Sequence, residues 1–316
     1  MKNGLLIAVA ALCLIISSCG HRDEARELCT QASTQLDAKN YKQALETYNK
    51  AIAADSTYAY GWEGRGAAEY YLDDSAKALK DELKAFRMDS SLKNVKYWIA
   101  NIKRDLGAYR ESMMYYNMSL ADGTTFPAKH YEGLGADEYY LGDYKRAKEY
   151  EDKAIDMDPT LEYSEYWRGM IERMTGDYEA SKKDFDRAIA KNPNYAKSYE
   201  WRASAEYHLE EYDAALTDVT KSMTMDSTLK KAYNLRAVIR QAMKDYKGSE
   251  EDYNVSLKIK GANDPAIDYE GRAIDEYHLE QYDSALADIN KALSDTSLQN
   301  VQAWKDAIEE KVKKKH

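Results

Sequence analysis

Four glutamates, Glu63, Glu132, Glu200 and Glu270, recur 68 to 70 residues apart, and each is followed seven residues later by a tyrosine: Tyr70, Tyr139, Tyr207 and Tyr277. Arg104 and Arg173 stand where the intervening copies of the pattern would place a tyrosine. Carboxylate, phenol and guanidinium groups set out at a regular interval are recognition chemistry, since they supply charge, hydrogen bonds and flat apolar faces. On this reading they line a groove for an extended peptide or a glycan, with the tyrosines as contact plates. The same residues would equally serve as solvated charges and as packing between elements. Tyrosine is everywhere in this chain, 28 residues against 3 phenylalanines, and it suits surfaces that are half packed and half wet.

Ten further charges form a second pattern. Arg65, Arg168, Arg202, Arg236 and Arg272 each precede an aspartate by 16 residues: Asp81, Asp184, Asp218, Asp252 and Asp288. Where the arginine is replaced by Gln31, Ile99 or Leu134, the aspartate is replaced too, by Thr47, Tyr115 or Tyr150. The co-occurrence predicts a bidentate Arg–Asp bridge in each of five repeats. Such a bridge is structural: it fixes geometry more than it adds stability.

No constellation points to catalysis, so the chain is expected not to be an enzyme, and no cofactor or metal is expected. Of the histidines His21, His130, His208, His278 and His316, only His208 and His278 recur at equivalent places, where Tyr71 and Tyr140 stand in other copies. A repeat position accounts for them better than a metal site. There is no His-Glu-x-x-His, no glycine-rich phosphate loop and no nucleophile elbow, and Asp156-x-Asp158 lacks the rest of a calcium loop. The other carboxylates lie along helices like solvated faces. A net charge of −10 argues against nucleic acid, whose phosphates need a basic face.

The elements that position these residues are repeated helices. Small residues fall at Ala44 and Ala51, Ala78 and Ala85, Ser112 and Ser119, Ala147 and Ala154, Ser181 and Ala188, Ala215 and Ser222, Ser249 and Ser256, Ala285 and Ala292. They mark eight units over residues 25–299, beginning at residues 25, 59, 93, 128, 162, 196, 230 and 266. Each unit reads as two amphipathic helices too short to be stable alone, so stacking must bury what one unit cannot. All four prolines lie between units, and Gly107, Gly142 and Gly176 mark an elbow between the two helices, where a left-handed residue ends the first. Asp55-Ser56, Asp89-Ser90 and Asp226-Ser227 replace proline between units and are expected to cap helices. The glutamate–tyrosine pattern belongs to alternate units, so the sequence period is a pair of units.

This pattern resembles the tetratricopeptide repeat family, a helix–turn–helix of about 34 residues. The unit at 162–195 carries the family's marks in Gly169, Gly176-Asp177-Tyr178, Phe185, Ala188 and Pro193. The resemblance implies an all-α, right-handed superhelical solenoid. The face of each first helix that bears the glutamates and tyrosines then lines the concave groove and binds other proteins or peptides. Val301, Trp304, Ala307 and Ile308 lie at helical spacing in residues 300–316, which is read as a capping helix with a basic tail.

Residues 1–18 read as a signal segment, with Lys2 ahead of the apolar run Leu5 to Ile16. Ile16-Ser17-Ser18-Cys19 resembles the lipobox of bacterial lipoproteins, which implies that Cys19 is acylated, with palmitate among its lipids, and that residues 19–24 are a short tether. Gly20 after the cysteine favours an outer membrane by the same resemblance, and Asp23-Glu24 resembles the surface-export signal of Bacteroidetes lipoproteins. The location expected is a bacterial envelope, on the periplasmic face or at the cell surface. The function implied is a membrane-anchored scaffold that binds envelope proteins. The alternative is a peptide- or glycan-binding surface lipoprotein working with an outer-membrane transporter.

Overall fold

The structure, a computed structural model, describes the backbone of residues 2–259, 265–293 and 300–315 and the side chains of residues 20–259, 265–293 and 300–314. The described residues form seventeen α-helices and no strand. The chain divides into two compact units, residues 1–161 and residues 162–316. The first is four helical hairpins: α1 (Lys2–Asp37) with α2 (Tyr41–Ala54), α3 (Ala59–Tyr71) with α4 (Ser75–Met88), α5 (Val95–Asp105) with α6 (Tyr109–Ala121), and α7 (Pro127–Leu141) with α8 (Tyr144–Met157). The second holds α9 (Ser164–Thr175) with α10 (Tyr178–Lys191), α11 (Ala196–His208) with α12 (Tyr212–Met225), α13 (Lys230–Ala242) with α14 (Tyr246–Ser256), and α15 (Ala266–His278) with α16 (Tyr282–Ala292). A last helix, α17 (Val301–Lys315), packs on α16, where Val301 and Ile308 are buried and the Trp304 ring meets Tyr277.

Within each half every helix packs against its neighbours in sequence. Small side chains allow that approach, and Ala44, Ala78, Ser112, Ala147, Ser181, Ala215, Ser249 and Ala285 are all fully buried. The helix α1 runs unbroken from Lys2 to Asp37, so the residues expected as a tether are helical here. Its described packing on α2 begins at Ala25, Cys29 and Ala32. The side chain of Cys19, residues 260–264 and 294–299 where the seventh and eighth units end, and His316 lie outside the described residues. No described helix is long and apolar enough to cross a membrane.

The elbow between paired helices has one construction throughout. The fifteenth residue of every unit is left-handed: Gly107, Gly142 and Gly176, but also Lys39, Asp73, Glu210, Lys244 and Glu280, with φ between 60° and 64°. Five units therefore accept a conformation that costs a residue with a Cβ about 1–2 kcal/mol. In four units the next residue caps the second helix: Asp74, Asp143, Asp177 and Asp245 each accept a backbone N–H three residues on. The aspartates between units act differently from the expected helix caps. Asp55, Asp89 and Asp226 each follow a second helix and accept the N–H two residues later, at 2.8–2.9 Å, which closes an Asx turn.

Candidate functional site

The five arginine–aspartate pairs lie within hydrogen-bond reach, joining the first helix of a unit to its second. Nε–Oδ2 distances are 2.5 Å for Arg65–Asp81, Arg168–Asp184, Arg202–Asp218 and Arg272–Asp288, and 2.9 Å for Arg236–Asp252. A second bond to Oδ1 makes four of them bidentate. Three of the arginines also reach the preceding unit, where Nη1 donates to Asn49 (2.8 Å), Asp186 (2.6 Å) and Asn254 (2.5 Å). The guanidinium is thus a three-way joint, and the pattern of pairs alone shows only two of its arms.

A ring stack explains why alternate units differ. The thirteenth residue of each even unit lies flat on the seventeenth of the odd unit before it. Tyr71 lies on Tyr41 at 4.7 Å, Tyr140 on Tyr109 at 4.8 Å, His208 on Tyr178 at 4.3 Å and His278 on Tyr246 at 4.2 Å. His208 and His278 are therefore stacking rings, and the described residues hold no cluster suited to a metal ion. The fourth residue of the same units carries a lysine over its ring: Lys84 on Trp62, Lys153 on Tyr131, Lys221 on Tyr199 and Lys291 on Tyr269.

The tyrosines expected in the groove are half-buried in these aromatic clusters. Tyr70 packs on Tyr71 and Trp98, Tyr139 on Tyr140 and Tyr144, Tyr207 on His208 and Tyr212, and Tyr277 on Tyr282 and Trp304. Arg104 donates to Tyr116 Oη and Asn101 Oδ1, both at 3.0 Å, and Tyr116 itself donates to Asn101 at 2.6 Å. Glu132 and Glu270 are half-buried, and burial raises the Glu270 carboxyl above the usual carboxylate range.

Glu63, Glu200 and Arg173 line two clefts at equivalent places in the two halves. In the N-terminal half a cleft of about 650 Å³ opens between α1, α3 and α5, with Glu63 and Ala67 on its wall and Tyr60 and Trp98 beside them. In the C-terminal half a cleft of about 290 Å³ is lined by Glu200, Ser204, Trp201, Arg173, Lys231 and Leu235. Ala67 and Ser204 both hold the ninth place of their units, where a small side chain leaves room. Arg173 donates to Ser204 Oγ at 2.9 Å and stands 4.8 Å from the Trp201 ring centre. Burial raises both carboxyls. Glu63 reaches about 7, with the Asp89 charge adding and the Asn94 N–H opposing. Glu200 is raised by burial but restrained by Lys231, Lys197 and Arg173.

Buried acids also lie behind these clefts. Glu82 is fully buried against Gly66, and neither of its oxygens has a hydrogen-bond partner. Burial first, then the charges of Glu63, Asp81 and Glu69, hold its carboxyl well above the ordinary range. Glu69, Glu206 and Glu276, at one shared place in their units, are each raised to about 7, chiefly by burial. Surface reading of the helices missed these acids. The glycine facing Glu82 is the one sequence signal that points to its burial.

An all-α stack of helical hairpins, bridged by repeated ion pairs and ring stacks and open in clefts on its first helices, is a repeat scaffold. Family models described as tetratricopeptide repeat match residues 168–222 and residues 25–58 and 139–161, and those segments are tetratricopeptide repeats. Such a fold is that of a protein-interaction scaffold. Among solved structures the chain is similar to the APC/C hetero-tetramer Cut9–Hcn1, with 15% identity and a TM-score of 0.68 over 80% of this chain and 53% of that one, so it spans about half that chain's length. It is similar to a tetratricopeptide repeat protein from Parabacteroides merdae, with 19% identity and a TM-score of 0.59 over 80% of this chain and 99% of that one. It is also similar to PilW, a type IV pilus biogenesis factor, with 16% identity and a TM-score of 0.57 over 63% of this chain and 92% of that one. At these identities the likeness establishes the fold. No curated protein sequence matches the chain.

Proposed function

We propose that this chain is a lipid-anchored scaffold of a bacterial envelope, tethered at Cys19, that holds extended segments of other envelope proteins on the faces of its first helices. The observation that carries the reading is the pair of equivalent clefts, one in each half, each built from a buried glutamate beside a small residue. A cleft formed by repeat geometry with a few convergent polar groups suits a peptide better than a reaction. The apolar run ahead of Ser17-Ser18-Cys19 supports the anchor and an outer-membrane location. Glycan is the second ligand class, because the N-terminal cleft sets aromatic faces beside carboxylates, as a sugar-binding receptor of a transporter would.

Mild crosslinking followed by affinity capture tests the scaffold. The wild-type chain recovers defined envelope proteins, and filling both clefts with Ala67→Trp and Ser204→Trp removes them while the helical melt stays cooperative. Equal recovery by the filled variant, or glycan binding without any protein partner, overturns the reading. Palmitate labelling that survives Cys19→Ala overturns the anchor.

A further inference from the structure

We infer that the N-terminal cleft receives a cationic side chain, a lysine or arginine of an extended partner segment, between the ring of Tyr60 and the carboxylate of Glu63. The inference rests on the scaffold function and names the chemistry of one of its two clefts.

Comparison with the C-terminal cleft carries the argument. Both clefts keep a buried glutamate at the fifth place of an even unit, but they differ in what surrounds it. Glu200 is met by Lys197, Lys231 and Arg173. The corresponding residues around Glu63 are Tyr60, Asn94 and Leu36, so all three cations are replaced by neutral side chains. Glu63 is 7% exposed; burial and then the repelling Asp89 charge raise its carboxyl, and the Asn94 N–H opposes them. A buried carboxylate stripped of its cations is a site that a visiting cation completes.

The replacing residues supply the rest of the site. Tyr60 lies one helical turn before Glu63 on the same face of α3, and the residue is 52% exposed. Tyr58 stands 5.4 Å from it, and Trp98 lines the same cleft. Aromatic faces beside an anion attract an ammonium or guanidinium by its charge and hold the alkyl stem by contact. The groups facing Glu63 from the packed elements are Arg26, Cys29 and Asp37 of α1, Tyr48 of α2, Glu82 of α4 and Asp89 after it. Arg26 and Asp37 are exposed and opposite in sign, burial keeps the Cys29 thiol and the Tyr48 phenol neutral at pH 7, and burial holds the Glu82 carboxyl well above the ordinary carboxylate range. The bound cation needs Glu63 ionised, so binding strengthens from pH 6 to pH 8 and releases a proton at the acid end.

Calorimetric titration of the full-length chain with the peptides acetyl-(Ala-Lys)₄-amide and acetyl-(Ala-Glu)₄-amide tests the inference. The lysine peptide binds and the glutamate peptide does not compete for the same site. Glu63→Gln and Tyr60→Ala each weaken the lysine peptide by about tenfold or more, whereas Trp201→Ala in the other cleft leaves it unchanged. Glu63→Gln also removes the pH dependence and the proton release, which lost packing alone would not do. Tyr60 is exposed, so its variant reads the site even if the glutamine variant folds poorly. A flat lysine isotherm, or one unaltered by Glu63→Gln and Tyr60→Ala, overturns the inference. The scaffold function would still stand on its own test, capture by the cleft-filled chain.

Discussion

The twenty-fourth residue of the even units is Glu82 and Glu151 in the N-terminal half, and Val219 and Ile289 in the C-terminal half. All four side chains are fully buried. The residue each faces changes with it: Gly66 and Gly135 oppose the glutamates, and Ala203 and Ala273 occupy the same places opposite the aliphatics. A Cβ on Gly66 would lie 2.8 Å from Glu82 Oε1, so the longer acid fits only because the glycine leaves it room. One fold thus admits two core chemistries at a single place, provided the facing helix adjusts. The acid version leaves the N-terminal half with fully buried carboxyl groups at Glu82 and Glu151 where its counterpart has hydrocarbon.

The strongest way to break this comparison is to move the acid across. Val219→Glu puts a carboxyl against the Cβ of Ala203 and is expected to destabilise the C-terminal half by about 3 kcal/mol, from overpacking and an unpaired polar group together. Region-resolved hydrogen exchange would show the loss confined to residues 162–316. The reverse exchange is a double-mutant cycle. Gly66→Ala alone costs about 1–3 kcal/mol, whereas Gly66→Ala with Glu82→Val rebuilds the Ala203–Val219 pair and is expected to exceed wild-type stability by about 1 kcal/mol. Additive effects in that cycle would separate the glycine from the acid.

Acid pH should stabilise the chain. Glu63, Glu69, Asp137, Glu206, Asp275 and Glu276 are raised to about 7 in the fold, chiefly by burial, and burial also holds Glu82 well above the ordinary carboxylate range. A carboxyl whose folded pKa exceeds its unfolded value, about 4, gives its full contribution below that value and loses it as pH rises through the folded one. Melting is therefore expected to be higher at pH 5.5 than at pH 8, with a smaller difference in Glu82→Val. Asp55, Asp89 and Asp226 are lowered by their serine or threonine partners and titrate below this window. His208 opposes the trend, because burial lowers its pKa and favours the neutral ring as pH rises. A melt that rises from pH 5.5 to pH 8 would mean that these acids find partners when ionised.

The smallest effects concern features the halves share. Tyr71→His copies the C-terminal stack and should hold stability within about 0.5 kcal/mol, while Tyr71→Ala loses the ring pair and about 1 kcal/mol. Lys39→Gly and Glu210→Gly relieve the left-handed elbows and should each gain about 0.5–1 kcal/mol. Similar gains in both halves, read by chemical denaturation, would place the difference between them in the core.

The repeat frame was legible because small buried residues recur with a fixed step, and a helix that needs Ala78 or Ala147 at a contact tolerates little else there. The Arg–Asp joint was legible because both partners vanish together at Leu134 and Tyr150. Its third arm, from Arg65 to Asn49, was not, since asparagine on a helix has many uses. Glu82 read as a solvated charge because composition does not show which face of a helix is covered. The clefts were half legible: Glu63 and Glu200 stand where alternation placed them, but Tyr70 and Tyr139 are tied into ring clusters that only spatial neighbours reveal. Elbows at Lys39 and Asp73 hid because glycine marks only three of the eight.

The four ring stacks join the first unit to the second, the third to the fourth, the fifth to the sixth and the seventh to the eighth. Under mechanical load the breaking element is therefore a pair of units. A chain pulled from its ends would lengthen in jumps of 68 to 70 residues, each roughly 230 Å of extended backbone. A molecule held at a membrane by one end and by a partner at the other would give way in a few large steps, staying stiff between them.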